Sequence, residues 1–160
     1  MQIRNPAPIP EPADAASRRR QRKGPVYPTA SRPKVDSAFY NKARDGMDLV
    51  GYLTVPRHRE MKNLPLIVLP HGGPHAHDVP GFDWWAQAFA SRGYAVFQPN
   101  FRGSTGFGKS FVNAGDKEWA GKMHDDLIDA VDWAVKSKIA QQDKVAIMGG
   151  SYGGYATLVG

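Results

Sequence analysis

Near the end of the 160-residue sequence stands G-G-S-Y-G, residues 149–153, with Gly154 directly after it. A serine with glycine two residues before and two residues after it has the form of a nucleophile on a sharp strand-to-helix turn. The turn lifts the hydroxyl clear of the sheet and brings the flanking segments so close that Gly149 and Gly153 leave no room for bulk. The helix that follows would present free N–H groups to developing negative charge. Ser151 is therefore the candidate nucleophile, and the Tyr152 backbone N–H is the natural first donor of an oxyanion hole. Upstream, HGGP at 71–74 follows an apolar run, and its glycines allow a backbone N–H to turn toward the same strand-end cleft as a second donor. Losing one such donor typically costs roughly 3–4 kcal/mol of barrier. The chemistry that suits both motifs is acyl transfer to a serine.

Such a serine needs a histidine to take its proton and an acid to hold that histidine. No Asp, Glu or His occurs after Ser151. Of the upstream histidines, His71, His75 and His77 lie on the oxyanion-loop side, and His71 reads as a turn-stabilising residue rather than a base. His124 opens a helix and His58 falls in a charged surface loop. The spacing H-x-x-x-H-x-H invites a metal, but no carboxylate or fourth ligand is arranged to complete the set, so neither metal nor cofactor is expected. Asp125, Asp126, Asp129 and Asp132 read as the solvated face of a helix rather than as acid–base partners.

These motifs must be carried by regular elements. Residues 36–56 read as two strands around a turn at Arg44, Asp45 and Gly46. LPLIVLP (64–70) and YAVFQPN (94–100) are short, nearly continuous apolar runs, as in strands buried on both faces. A helix is predicted over 82–93, with Gly93 as its stop, and FRGSTGFGKSF (101–111) reads as a glycine-rich loop. The helix predicted over 123–138 carries Met123, Leu127, Val131 and Val135 as an apolar stripe, widened by Ile128 and Ala134. Asp125 and Asp126 in its first turn, and Lys136 and Lys138 in its last, suit the helix dipole. A third buried strand over 144–149 runs into the Ser151 turn. Alternation of this kind predicts an α/β class with a mainly parallel sheet opened by an antiparallel hairpin and covered on both faces. A dinucleotide-binding domain would need G-x-G-x-x-G after its first strand. The pair Gly106 and Gly108 lacks the third glycine and the immediate helix.

Composition places the remaining features. Hydrophobic residues make up 41% and charged residues 22%, as in a globular chain. The net charge is +6, yet residues 1–35 hold eight Lys or Arg against two acids, and residues 36–160 hold thirteen of each sign. The excess basicity is thus confined to a segment that also holds seven of the thirteen prolines. That segment is expected to be a disordered tail or linker with no specific nucleic-acid partner. There is no cysteine, and hence no disulfide or thiolate chemistry. With neither an apolar signal region nor a membrane-length apolar run, the expected location is cytoplasmic, or periplasmic if the native N-terminus lies upstream.

HGGPHAHD (71–78), NFRGSTGFGKSF (100–111), W-A-G (119–121) and GGSYGGY (149–155) occur in that order behind the hairpin ARDGMDLVGYLTVP (43–56). Together they resemble the prolyl oligopeptidase family of serine peptidases, above all its acylaminoacyl-peptidase and dipeptidyl-peptidase branches, over residues 36–160. The resemblance implies an α/β-hydrolase domain that cleaves peptides through an acyl-enzyme. It makes Ser151 the nucleophile, the Tyr152 and Gly73 N–H groups the oxyanion donors, and Gly72, Gly149 and Gly153 supporting positions. In this fold the acid and histidine follow the serine. The expectation is therefore a partial catalytic domain that ends just past the nucleophile turn, inactive alone, with an unpaired sheet edge that invites oligomers. Such peptidases carry a β-propeller before this domain, which residues 1–35 do not resemble. A carboxylesterase or lipase of the same fold, or a non-catalytic fragment, are the alternative readings.

Overall fold

The computed structural model describes residues 34–160, and the Pro- and Arg-rich stretch expected to be a tail lies outside the described residues apart from its last two positions. Nine elements follow in order: β1 (Lys34–Lys42), β2 (Asp48–Val55), β3 (Leu64–Val68), α1 (Trp84–Ala90), β4 (Ala95–Asn100), α2 (Lys109–Asn113), α3 (Lys122–Lys136), β5 (Ala140–Ile147) and α4 (Tyr152–Val159). The strands form one sheet in the order β1-β2-β4-β3-β5. β1 and β2 make the expected hairpin, β2 also pairs antiparallel with β4, and β3 runs parallel to both β4 and β5. The sheet is therefore mixed, with its parallel part at the end that carries the Ser151 turn.

The two apolar strands behave as their sequences require, with one side chain set for each face. On one face Leu66, Val68, Ala95 and Phe97 pack with Leu53, Val55, Ala130, Ala134 and Ile139. On the other, Ile67, Leu69 and Val96 pack with Ala86, Trp85 and Phe89 of α1. Asp83 caps α1 by accepting a 2.8 Å hydrogen bond from the Ala86 N–H. Gly93, at φ +99°, turns the chain out of that helix as expected.

Four expectations need correction. The buried stripe of α3 is Met123, Leu127, Ala130 and Ala134; Val131 and Val135 are only partly buried, and Ile128 is exposed. Small alanines let the helix axis approach the sheet, so they win the contact over the bulkier valines. The strand expected over 144–149 is assigned as Ala140–Ile147, but its regular ladder with β3 is confined to Val145–Ile147, after an irregularity between Leu64 and Leu66. Within the loop read over 101–111, residues from Lys109 onward form the short helix α2.

The fourth correction concerns charge. Asp126 is not on a solvated face: it is fully buried and faces Arg102, which is itself 3% exposed. Arg102 donates from its backbone N–H and Nε to Asp126 Oδ2 at 2.8 and 2.9 Å, and from Nη2 to Oδ1 at 2.7 Å. Its guanidinium also grips Asp45 in the hairpin turn, at 2.7 and 3.0 Å. The Arg102 guanidinium is held protonated well above its ordinary range, first by Asp126 and then by Asp45. In return Arg102 pulls the Asp45 carboxyl down to about 2. Asp129 and Asp125 on the same helix bind the half-exposed Arg44 at 3.0 Å. The acidic face of α3 therefore docks the hairpin.

Removing one partner of a buried ion cluster leaves a charge without compensation, which typically costs about 3–5 kcal/mol. R102M is expected to lower the unfolding free energy by that amount in urea titrations, and R44M by much less, because that pair is solvated.

Candidate active site

Beyond β5 the chain keeps its parallel register for one more bond, Met148 N–H to Val68 O at 3.0 Å, and then turns at Gly149 and Gly150 into Ser151 and α4. Ser151 sits at φ 56°, ψ −119°, a sparsely populated conformation for a residue with a Cβ. The surrounding packing holds it there. A Cβ on Gly149 would lie 2.8 Å from the Gly153 backbone and from the Pro70 carbonyl oxygen, and a Cβ on Gly153 would collide with that same oxygen. Only glycines let the turn close this tightly on the end of β3. Ser151 is exposed at the end of the sheet, while Tyr152 behind it is buried.

The HGGP loop lies against this turn. A Cβ on Gly72 would stand 3.2 Å from Ser151 Cβ and 3.8 Å from its Oγ. Gly73 follows at φ +127°, where an added Cβ would meet the His75 backbone nitrogen at 2.6 Å. The two glycine motifs, some eighty residues apart in sequence, thus share one strand-end corner.

Each of the three loop histidines is committed to the chain segment after β4. The His71 ring stacks on Phe101 with centroids 4.5 Å apart. Its Nδ1–H donates to Gly72 O at 2.8 Å, and its Nε2 lies 2.8 Å from Ser104 Oγ. Burial pushes the His71 ring below the usual histidine range, against the opposing pull of the Gly72 carbonyl. His75 Nδ1 bonds Gly103 O at 3.2 Å, and His77 Nδ1 bonds Thr105 Oγ1 at 3.0 Å. A backbone bond from Thr105 N–H to Ala76 O, 2.9 Å long, completes the seam. These contacts tie the two loops together, in keeping with the turn-stabilising reading of His71. Among the described residues no three His, Asp or Glu side chains cluster as metal ligands. His124 lies at the far end of α4, beside Gly160.

The sequence model described as the prolyl oligopeptidase family matches residues 80–159, half of the chain. The chain belongs to the prolyl oligopeptidase family. It is 61% identical over 125 residues to dipeptidyl aminopeptidase BIII of Pseudoxanthomonas mexicana, which covers 74% of this chain and 18% of that protein. It is 42% identical to dipeptidyl peptidase family member 6 of Caenorhabditis elegans, over 93% of this chain and 24% of the relative. The solved acylaminoacyl peptidase of Pyrococcus horikoshii superposes with a TM-score of 0.72 at 27% identity, over 81% of this chain and 21% of that one. The chain thus spans about a fifth of the length of these relatives, and its fold is that of the α/β-hydrolase peptidases.

Two surroundings of the corner shared by this prolyl oligopeptidase family chain were not legible as such. On one side Trp119, from the W-A-G block, packs edge-on against Tyr152 at 4.9 Å and near Tyr155 at 5.1 Å, and Tyr152 in turn meets Phe101 at 4.9 Å. Burial pushes the Tyr152 phenol up to about 12, so it stays protonated. On the other side a cavity of about 240 Å³ opens beside Gly72 and Gly150, lined in part by Asp78, Asp83, Trp84 and Gln98. Asp78 bonds Asn100 through its backbone N–H and C=O, at 2.8 and 3.1 Å, but its carboxylate Oδ2 is buried without a partner. Burial, and then the nearby Asp83, push this carboxyl up to about 6. Sequence gave no sign of it, because nothing local distinguishes Asp78 from an ordinary loop acid.

A carboxyl raised in this way binds its proton more readily folded than unfolded. Its charge therefore weakens the fold above about pH 6, and that penalty is absent below the ordinary carboxylate value near pH 4. D78N is expected to raise the unfolding free energy at pH 8 by about 1–2 kcal/mol. The gain should vanish in melts at pH 4, and a pH-independent difference would contradict the assignment.

Proposed function

We propose that these residues form the nucleophile and oxyanion part of a serine peptidase acting through an acyl-enzyme on Ser151. The observation that supports this best is the strained Ser151 turn with Gly72 lying against its side chain. In this reading Ser151 Oγ attacks a peptide carbonyl. The Tyr152 N–H, at the start of α4, and the Gly73 N–H, on the HGGP loop, receive the charge that develops on the carbonyl oxygen. The names of the relatives, dipeptidyl and acylaminoacyl peptidases, favour short peptides with the scissile bond near their N-terminus.

General base and acid come, in this proposal, from residues outside 1–160. The loop histidines are committed elsewhere, and no Asp, Glu or His follows Ser151 in the sequence. The polypeptide 1–160 by itself is accordingly expected to be inactive. The open side of β5, last in the described sheet and carrying the exposed Asp143 and Lys144, is where further chain would pair.

In an active polypeptide that contains these residues, S151A is expected to lower turnover of a peptide anilide by at least about 10,000-fold, and to abolish labelling by a fluorophosphonate. Residues 1–160 alone should turn over the anilide no faster than their own S151A form. Ser151-dependent turnover by the isolated chain would overturn the external acid–base pair, and full activity in S151A would overturn the nucleophile. Esterase activity without anilide cleavage would shift the substrate class from peptides to esters.

A further inference from the structure

The cavity beside the Ser151 corner, about 240 Å³, holds charge that the acyl-transfer reading does not use. Gly72 and Gly150 line it, so it adjoins the turn that carries the proposed nucleophile. We propose that this cavity is a subsite for a basic side chain of the peptide substrate, a Lys ammonium or Arg guanidinium held by Asp78 and Asp83 beside the ring of Trp84. The proposal rests on the acyl-transfer reading and narrows its substrate class.

Asp78 does not serve the fold through its carboxylate. Both of its bonds to Asn100 are made by backbone atoms, and its Oδ2 is buried with no hydrogen-bond partner. Burial, and then Asp83, push the carboxyl up to about 6. At neutral pH it therefore carries a negative charge that weakens the fold. An incoming cation supplies the missing partner, and a charge-assisted bond in a partly buried site is among the stronger contacts a ligand can make. Asp83 adds a second carboxylate, of which Oδ1 stays on the Ala86 N–H as the cap of α1.

The other lining residues choose among ligands. Among the described residues that line the cavity there is no Lys or Arg, and the one histidine, His71, has both ring nitrogens engaged. An anionic group would meet two carboxylates and no counter-charge. A divalent metal is disfavoured as well, because no three ligating side chains converge among the described residues. Leu69 and Pro70 give an apolar lining that suits the alkyl stem of Lys or Arg. Trp84 lines the cavity yet is 66% exposed, and an indole left in water beside two carboxylates offers a surface for a cation.

The test uses an active polypeptide containing these residues and internally quenched peptides of one backbone. Lys, Arg or norleucine is placed in turn at each position flanking the scissile bond. At one of these positions kcat/KM for Lys or Arg should exceed that for norleucine by about tenfold or more, the worth of one buried bond to a charge. D78N keeps the size of the side chain and should bring that ratio close to unity. D83N, whose amide still caps α1, and W84L should each lower it in part. The absence of any preference for a basic residue overturns the proposal without recourse to a variant. An undiminished ratio in D78N that melts cooperatively overturns the assignment to this cavity. A loss in D78N that matches the loss on acetylating the peptide N-terminus, with Lys and norleucine peptides equal, assigns the cavity to the terminal amine and overturns the side-chain proposal. Turnover that persists in S151A refutes acyl transfer on Ser151, whereas turnover that requires Ser151 and ignores basic residues refutes the subsite alone.

Discussion

A guanidinium almost without solvent holds this structure together. Arg102 is 3% exposed, between a fully buried Asp126 and the turn residue Asp45. Taking these charges out of water is costly, and the arrangement survives only because the guanidinium meets both carboxylates with well-formed hydrogen bonds. The return is geometric. One side chain ties the β1–β2 turn, the segment leaving β4 and the first turns of α3 to each other. Phe101 and Ser104, on either side of it, then reach His71, and Gly103 and Thr105 reach His75 and His77. An irregular loop is thereby made stiff enough to hold a second irregular loop against Ser151.

The alternation of elements was legible because buried parallel strands are short apolar runs, and because Asp45-Gly46 and Gly93 mark turns that few other residues tolerate. Asp126 was not, for a definite reason. Helical periodicity assigns faces from near neighbours, and four acids at 125, 126, 129 and 132 look alike by that measure. What separates Asp126 from Asp132 is a partner 24 residues upstream, Arg102, and no local pattern reports it. The α3 stripe was legible at Met123, Leu127 and Ala134 but misread at Val131, Val135 and Ile128, for a related reason. Ala130 and Ala134 are quiet on any hydrophobic scale, yet their smallness sets how near the helix comes to Phe97 and Ile139. The chain from Gln141 to Lys144 is polar and largely exposed and bridges the irregularity between the Ala140 pairing and the ladder that starts at Val145, so no apolar pattern marks it.

At the candidate site the legible part is the part made of glycine. Gly72, Gly149 and Gly153 record close backbone approach directly, since a single Cβ at any of them meets a neighbouring segment. Histidine spacing is less informative. H-x-x-x-H-x-H fits a metal centre as well as it fits three rings hydrogen-bonded to one neighbouring loop, and the difference lies in Gly72 O, Gly103 O and Thr105 Oγ1. Ser104 is harder still, being one small polar residue in a glycine-rich run, although its burial makes it the anchor of the His71 ring.

The two halves of serine chemistry make opposite demands on their surroundings, and on the proposed reading the residues around this corner meet only one of them. Groups that stabilise an oxyanion must be immobile before the charge appears, so that no reorganisation is left to the moment of reaction. Backbone amides fixed by glycine contacts and by buried side chains satisfy that requirement. The Ser151 conformation, worth on the order of 1–3 kcal/mol of strain, is tolerable because the Pro70, Gly149 and Gly153 contacts allow no alternative. A general base, in contrast, must present a free lone pair and must be able to hold a positive charge. His71 has both nitrogens engaged and is desolvated in the sense that disfavours its cation. The contacts that hold the ring in place make it unfit to receive a proton. On the proposed reading, charge stabilisation and proton transfer are built from different parts of the fold, with the first concentrated between Gly73 and Tyr152.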